Sequence, residues 1–339
     1  MPPFTVRALS RATLARQLLL ERARLSVPAA VERLGAMQAQ WPPAPYVGLW
    51  SRLESFHHDQ LTRALERRRV TRSTLFRMTV HLVSAKDQPA FARLVHDQWR
   101  EDFERGGLRV DELERRIERL ADDGPFTYAD LNAILPELEP RGFLVRCVTP
   151  LVHVPPSGTW GRVRIKLTTA ERWLGVPMPP AREAAERVIR SYLRAFGPAS
   201  RADLLQFSGL RVSALDPALE ALQPSLRRLE AEDGRELLDL PRAPRPDPTI
   251  PAPVRFLPPF DAIVLSHRDR TRVLPEDYRP SVIRGGDVRP TFLVDGFVAG
   301  EWRRQDGKVK VEPYAPLPPR VRREVDGEAR RLAAFLDFS

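Results

Sequence analysis

At 339 residues the chain is too long for one ordinary core, and modules of roughly 100 residues each are expected. A 42% hydrophobic content without any run approaching the roughly 18 apolar residues of a membrane span, or a cleavable leader pattern, points to a cytoplasmic globular protein. The single cysteine, Cys147, excludes an intrachain disulfide and a cysteine-based zinc site. The six histidines lack ligand spacing apart from the adjacent pair His57 and His58, so no metal and no cofactor are expected. A formal charge of +10 favours a polyanion partner through counterion release, although four lysines among 54 basic residues, with 34 prolines, equally fit a GC-rich genome.

In chain order, Leu14, Leu18, Leu19 and Leu25 mark an amphipathic helix. Ser26 with Pro28 starts a second, running through Val31 to Ala39 and ending near Gln40 because Pro42 and Pro43 disfavour helix before them. Leu61, Ala64 and Leu65 lie on a third. Arg63, Arg67, Arg68, Arg69 and Arg72 read either as its solvated face and end or as phosphate contacts. Leu75 to Ser84 alternates with period two, putting Phe76, Met78, Val80 and Leu82 on one face and Arg77, Thr79 and His81 on a polar face that could line a groove.

Helices are then predicted at Val110 to Ala121 and Ala181 to Phe196, each followed by the same pattern. Gly124-Pro125-Phe126-Thr127-Tyr128-Ala129-Asp130-Leu131 recurs as Gly197-Pro198-Ala199-Ser200-Arg201-Ala202-Asp203-Leu204. Gly-Pro ends the preceding segment, the hydroxyl caps a new helix, and the acid three residues on completes a capping box. Helix, turn and capped helix predict a helix-turn-helix. After the first copy, strands at Phe143 to Val154 and Arg162 to Leu167 around Pro155-Pro156-Ser157-Gly158 would form a hairpin wing.

Past the Pro-rich stretch Pro241 to Pro259, strands are expected at Ala262 to Leu265, Thr291 to Val294, Phe297 to Arg303 and Lys308 to Glu312, closed by a helix from about Arg320 to Phe335. The expected fold is α+β: tandem winged-helix units over 1–105, 106–180 and 181–245, followed by a small β-rich C-terminal module over 246–339. Trp50, Phe76, Trp173, Phe292 and Trp302 fall in apolar patterns and read as core. Trp41, between Gln40 and Pro42, either stacks near a ligand or plugs a gap.

Five segments carry a family resemblance: Ala36-Met37-Gln38-Ala39-Gln40, Pro45-Tyr46-Val47-Gly48-Leu49-Trp50, Thr79-Val80-His81-Leu82-Val83, Leu265-Ser266-His267-Arg268-Asp269-Arg270 and Phe292-Leu293-Val294-Asp295-Gly296-Phe297. In their order and spread they resemble the AlkZ/YcaQ-type DNA glycosylases. The resemblance implies three tandem winged-helix units around a basic DNA channel and a catalytic Q-x-Q motif, matched here by Gln38 and Gln40. It further implies excision of alkylated bases, including bulky or crosslinked N7 adducts of guanine. Double-stranded DNA carrying alkylated bases is then the expected partner, enclosed by a monomer.

A neutral pair suits this chemistry. An N7-alkylated guanine is already cationic and leaves without a proton, so two amides need only orient water and stabilise the developing sugar cation. With no lysine near the motif, a Schiff-base lyase step is not expected. The Gln pair otherwise reads as a solvated helix end, and His81 as a structural histidine. For His267 and Arg270 the choice is DNA contact or a local salt-bridge network. Arg72, Arg77, His81, His267 and Arg270 are the candidate DNA-binding residues. A non-enzymatic winged-helix regulator is the competing reading; a nuclease lacks clustered carboxylates for magnesium.

Overall fold

The computed structural model describes residues 2–162 and 164–337, apart from the side chains of 139–143. Helices and sheets alternate in an α+β arrangement. The N-terminal part runs α1 (Val6–Arg16), α2 (Val27–Leu34), β1 (Met37–Gln38), α3 (Ala44–Arg52), α4 (His58–Glu66), β2 (Val70–Thr74), β3 (Val80–Ser84) and α5 (Gln88–Arg105). Ser26 caps α2 as its sequence predicts, with its hydroxyl accepting from the Ala29 amide. The first helix stops at Arg16, so Leu18, Leu19 and Leu25 fall beyond it; Leu18 has φ +57° and turns into the core from a loop.

The expected strand from Leu75 to Ser84 is broken. Phe76–Met78 forms a tight turn with Arg77 and Met78 at φ +53° and +57°, leaving only Val80–Ser84 extended. This turn reverses the chain so that β3 pairs antiparallel with β2, a strand that the sequence pattern did not separate from the Arg-rich helix end.

The middle part contains α6 (Val110–Asp122), α7 (Tyr128–Ile134), a 3-10 segment over Pro136–Cys147, β4 (Leu151–His153), β5 (Leu167–Thr169) and α8 (Ala170–Leu174). The expected wing strands are much shorter than Phe143 to Val154 and Arg162 to Leu167; the Phe143 side chain and Val163 lie outside the described residues. One sheet, in the order β1-β3-β2-β4-β5, crosses the expected boundary at residue 105, because Ser73 pairs with Val152.

Next come α9 (Ala181–Phe196), α10 (Arg201–Ser208), α11 (Val212–Leu222) and the hairpin β6 (Arg227–Glu230) with β7 (Glu236–Asp239). Both Gly-Pro repeats close capping boxes: Thr127 and Asp130 in one, Ser200 and Asp203 in the other, each hydroxyl accepting from the amide three residues on at 3.2 Å. The third residue of each repeat makes an equivalent bridge to the strand behind it, Phe126 to Leu167 and Ala199 to Leu238.

The C-terminal part has β8 (Arg255–Leu257), α12 (Ala262–Leu265), α13 (Arg279–Val282), β9 (Ile283–Arg284), β10 (Asp287–Val288), β11 (Thr291–Val294), β12 (Phe297–Gln305), β13 (Lys308–Pro313) and α14 (Pro319–Leu336). Ala262 to Leu265, expected as a strand, is a short helix because the Asp261 carboxylate accepts from the Ile263 amide and caps it. The sheet β13-β12-β11-β8 backs onto the first module: Phe256, Phe292 and Trp302 pack in one core with Trp50 and Leu82. Trp50, Phe76, Phe292 and Trp302 are buried as expected; Trp173 is half-buried and carries the Arg68 guanidinium 4.1 Å above its ring.

Two buried, bidentate ion pairs fasten distant segments: Arg16 to Asp239 at 2.7 and 2.9 Å, and Arg52 to Asp261 at 2.8 and 2.9 Å. Removing one partner of such a pair strands a buried charge and costs about 3–5 kcal/mol. Among the described residues no helix is long and apolar enough to cross a membrane.

Candidate active site

Gln38 and Gln40 do not end a helix. The segment Met37–Gln38 is a strand, and its pairing with β3 continues one residue further, since the Ala39 amide donates to the Val80 carbonyl at 2.7 Å. On a helix residues two apart point away from each other; here Gln38 lies on the strand and Gln40 in the bend that follows it. Gln40 then takes over from the ladder: its side-chain Oε1 accepts from the Val80 amide at 3.1 Å. An amide oxygen has two acceptor positions, so one remains open. Gln40 is exposed and Gln38 is 9% exposed.

Directly across from Gln38 on β3 stands His81, and opposed residues of an antiparallel pair project from the same side of the sheet. His81 is buried, and its Nδ1 lies 2.9 Å from the Thr79 carbonyl. Because that carbonyl only accepts, Nδ1 carries the proton and Nε2 stays an acceptor. Burial pushes the imidazole down to about 3, with the nearby Arg77 charge acting the same way, so His81 is neutral at ordinary pH. His81, expected as a DNA contact, is thus a buried, neutral ring beside Gln38 with no charge to offer a phosphate.

Beneath the motif lies Arg72. It is 3% exposed, and its guanidinium donates to the carbonyl of Ala39, the residue between the two glutamines. Gly158 makes room for it; a Cβ at that position would lie 1.6 Å from Arg72 Nη1. Among the described residues no carboxylate pairs with this guanidinium, and burial lowers its pKa to about 10. Arg72, expected as a DNA contact, is thus placed in the interior, bonded to the glutamine segment.

A small cavity of about 10 Å³, room for about one water, touches Gln38. Gln17, Arg52 and Asp261 line it as well. Asp261 is the one carboxylate in that lining, and both its oxygens are held by Arg52. None of the four lysines lines it. Asp261 and Arg52 meet here across 209 positions, a pairing that no local sequence pattern marks.

His267 is likewise buried and interior. Its Nε2 lies 2.9 Å from the Phe196 carbonyl, and its Nδ1 lies 3.0 Å from Ser266 Oγ. With the Arg268 amide donating to Asp203 at 2.8 Å and Arg272 donating to the Pro198 carbonyl at 2.8 Å, it straps the C-terminal part onto the second Gly-Pro repeat. His267, expected as a DNA contact, is thus engaged in the interior on both ring nitrogens. Arg77 and Arg270 differ from these. Both are half-buried, each feels burial as the largest influence lowering its pKa, and the Arg270 charge acts on Arg77. Among the described residues neither has a salt-bridge partner, although Arg77 donates to the Phe207 carbonyl.

The chain matches the family model described as DNA glycosylase AlkZ-like over residues 31–335, a span containing both glutamines and every element from β1 to β13. It belongs to the AlkZ-like DNA glycosylase family. Within reach of that family, an interstrand DNA cross-link repair glycosylase of Streptomyces sahachiroi is 24% identical over 356 residues, covering 94% of this chain and 93% of the relative. The solved structure of a Streptomyces sahachiroi DNA glycosylase AlkZ superposes with a TM-score of 0.82 at 22% identity, covering 100% of this chain and 98% of that one. At that identity the likeness speaks to the fold.

Proposed function

We propose that this AlkZ-like chain is a monofunctional DNA glycosylase that hydrolyses the N-glycosidic bond of cationic alkylated bases, N7-alkylguanine first among them, in duplex DNA. The observation that carries the reading is the neutrality of the site. One amide stands on a short strand and the other just after it, a buried neutral imidazole stands opposite the first, and the one carboxylate lining the cavity at Gln38 is held on both oxygens by Arg52. Such a site has no group to protonate a poor leaving group. A cationic base needs none: the C1′–N9 bond breaks, its electron pair neutralises the purine, and water adds at C1′ as its proton passes to solvent. The glutamine carbonyls position that water and face the developing positive charge.

The tandem units defined by the two Gly-Pro repeats act in this reading as winged helices that bind duplex DNA, with Arg77 and Arg270 holding phosphates. The units 1–105, 106–180, 181–245 and 246–339 work together as one monomer around the lesion. The test is release of free base from duplexes carrying 7-methylguanine, uracil or 8-oxoguanine. Release of 7-methylguanine alone is the expected result. Efficient uracil release would defeat the charge argument, and specific binding to one undamaged sequence without any release would favour a regulator.

A further inference from the structure

The Ala39 amide donates to the Val80 carbonyl, so residues 39 and 80 form a hydrogen-bonded position of the ladder and Gln38 and His81 the closer, non-hydrogen-bonded one. In such a pair the Cα atoms stand about 4.5 Å apart and the side chains leave from the same side of the sheet. The His81 ring is held in place: its Nδ1–H donates to the Thr79 carbonyl at 2.9 Å, and Phe76 meets it edge-on with centroids 5.9 Å apart. Its Nε2 is left as an acceptor, without a hydrogen-bond partner among the described residues. Neighbouring donors are turned elsewhere. Ser73, opposite His81 on β2, donates its hydroxyl to the Leu151 carbonyl at 2.8 Å, and the Arg77 guanidinium donates to the Phe207 carbonyl. The Gln38 carboxamide has no hydrogen-bond partner among the described residues either.

We infer that His81 is a positioning residue for Gln38: in the DNA complex its Nε2 accepts from the Gln38 amide nitrogen and turns the Gln38 carbonyl oxygen toward the sugar. The inference rests on the proposed glycosylase reading and deepens it. A carboxamide can present either end, and the ends act oppositely on a developing cation, which the oxygen stabilises and the NH2 group repels. For Gln40 the choice is made by the backbone, because the Val80 amide holds its oxygen. Gln38 has no such donor. A fixed ring that only accepts at the facing atom selects the NH2 end of Gln38, and the contact closes with substrate in place, as catalytic hydrogen bonds commonly do.

The experiment measures single-turnover release of N7-methylguanine by the wild type, His81→Asn, His81→Gln and Gln38→Ala. Asn keeps a donor for the Thr79 carbonyl but has no acceptor where Nε2 stood; Gln places an amide oxygen there. His81→Asn should lose at least about tenfold in rate with little change in duplex affinity, as a misplaced catalytic group does. His81→Gln should regain most of that loss. In the Gln38→Ala background His81→Asn should cost nothing further, because it acts through Gln38. A direct readout leaves His81 unchanged. In histidine-labelled protein bound to a cleavage-resistant 2′-fluoroarabino duplex, the nitrogen resonance of His81 Nε2 should move downfield on Gln38→Ala, as for an acceptor that loses its hydrogen bond. An unmoved resonance, excision by His81→Asn at the wild-type rate, or losses that add in the double variant would overturn the inference, and with base still released would keep the glycosylase reading. A moved resonance without release of any base would keep the contact and overturn the glycosylase reading.

Discussion

The Arg72 guanidinium donates to the carbonyl of Ala39, 33 residues earlier, and so anchors the one residue that separates Gln38 from Gln40. A buried cation is costly without a carboxylate partner, and Arg72 has none among the described residues; its guanidinium donates instead to the glutamine segment. Arg72→Met should lower single-turnover excision of N7-methylguanine at least about tenfold by loosening the pair. Gly158→Ala tests the same support without touching the charge, because its Cβ displaces Nη1. If Gly158→Ala folds and excises at the wild-type rate, the support is not needed.

Replacing Gln38 or Gln40 with Ala should each reduce single-turnover excision by at least about tenfold while duplex affinity changes little. The two positions differ in one respect. Gln40 also terminates the ladder at Val80, so Gln40→Glu, which keeps an acceptor for that amide, should fold as the wild type does. Thermal denaturation beside the kinetics separates a lost catalytic contact from a lost fold.

Duplex binding should fall steeply with salt on any sequence. If Arg77 and Arg270 hold phosphates, each alanine variant should weaken binding uniformly across sequences and reduce the slope of log affinity against log salt by about one. Arg68, already stacked on Trp173, serves as the comparison and should leave the slope nearly unchanged. Equal slopes in all three variants would remove Arg77 and Arg270 from the interface.

Acid should destabilise the fold well above the range where carboxylates titrate. Burial holds His81, His96 and His267 down to about 3 and His58 to about 4, while the unfolded chain binds a proton near 6.5. The unfolded state therefore holds more protons between those values. Stability contributed by the neutral imidazoles is complete above pH 6.5 and is lost as pH falls toward 4 and 3. For the fully buried His81 the loss at pH 5 is on the order of 2 kcal/mol. Denaturant midpoints at pH 7.5 and 5 measure it, and His267→Gln, which keeps a donor to the Phe196 carbonyl, should flatten the dependence.

The sequence by itself determined the local events. The capping boxes at Thr127 and Ser200, the helices at 110 and 181, the C-terminal strands at 291, 297 and 308 and the closing helix all follow from patterns within a dozen residues, where caps and periodicity act. The geometry at the glutamine pair was not legible there: the prolines after it favour a helix end, whereas pairing with β3 makes Met37–Gln38 extended. What only the tertiary structure decided is which polar side chains are free. Arg72, His81 and His267 look like surface groups in sequence because charge and polarity do so on average. Their burial comes from contacts made across 33 residues to Ala39, across a sheet register to Gln38 and across 71 residues to Phe196. Such contacts leave no periodic trace, since each depends on where separate elements dock and not on the residues beside it.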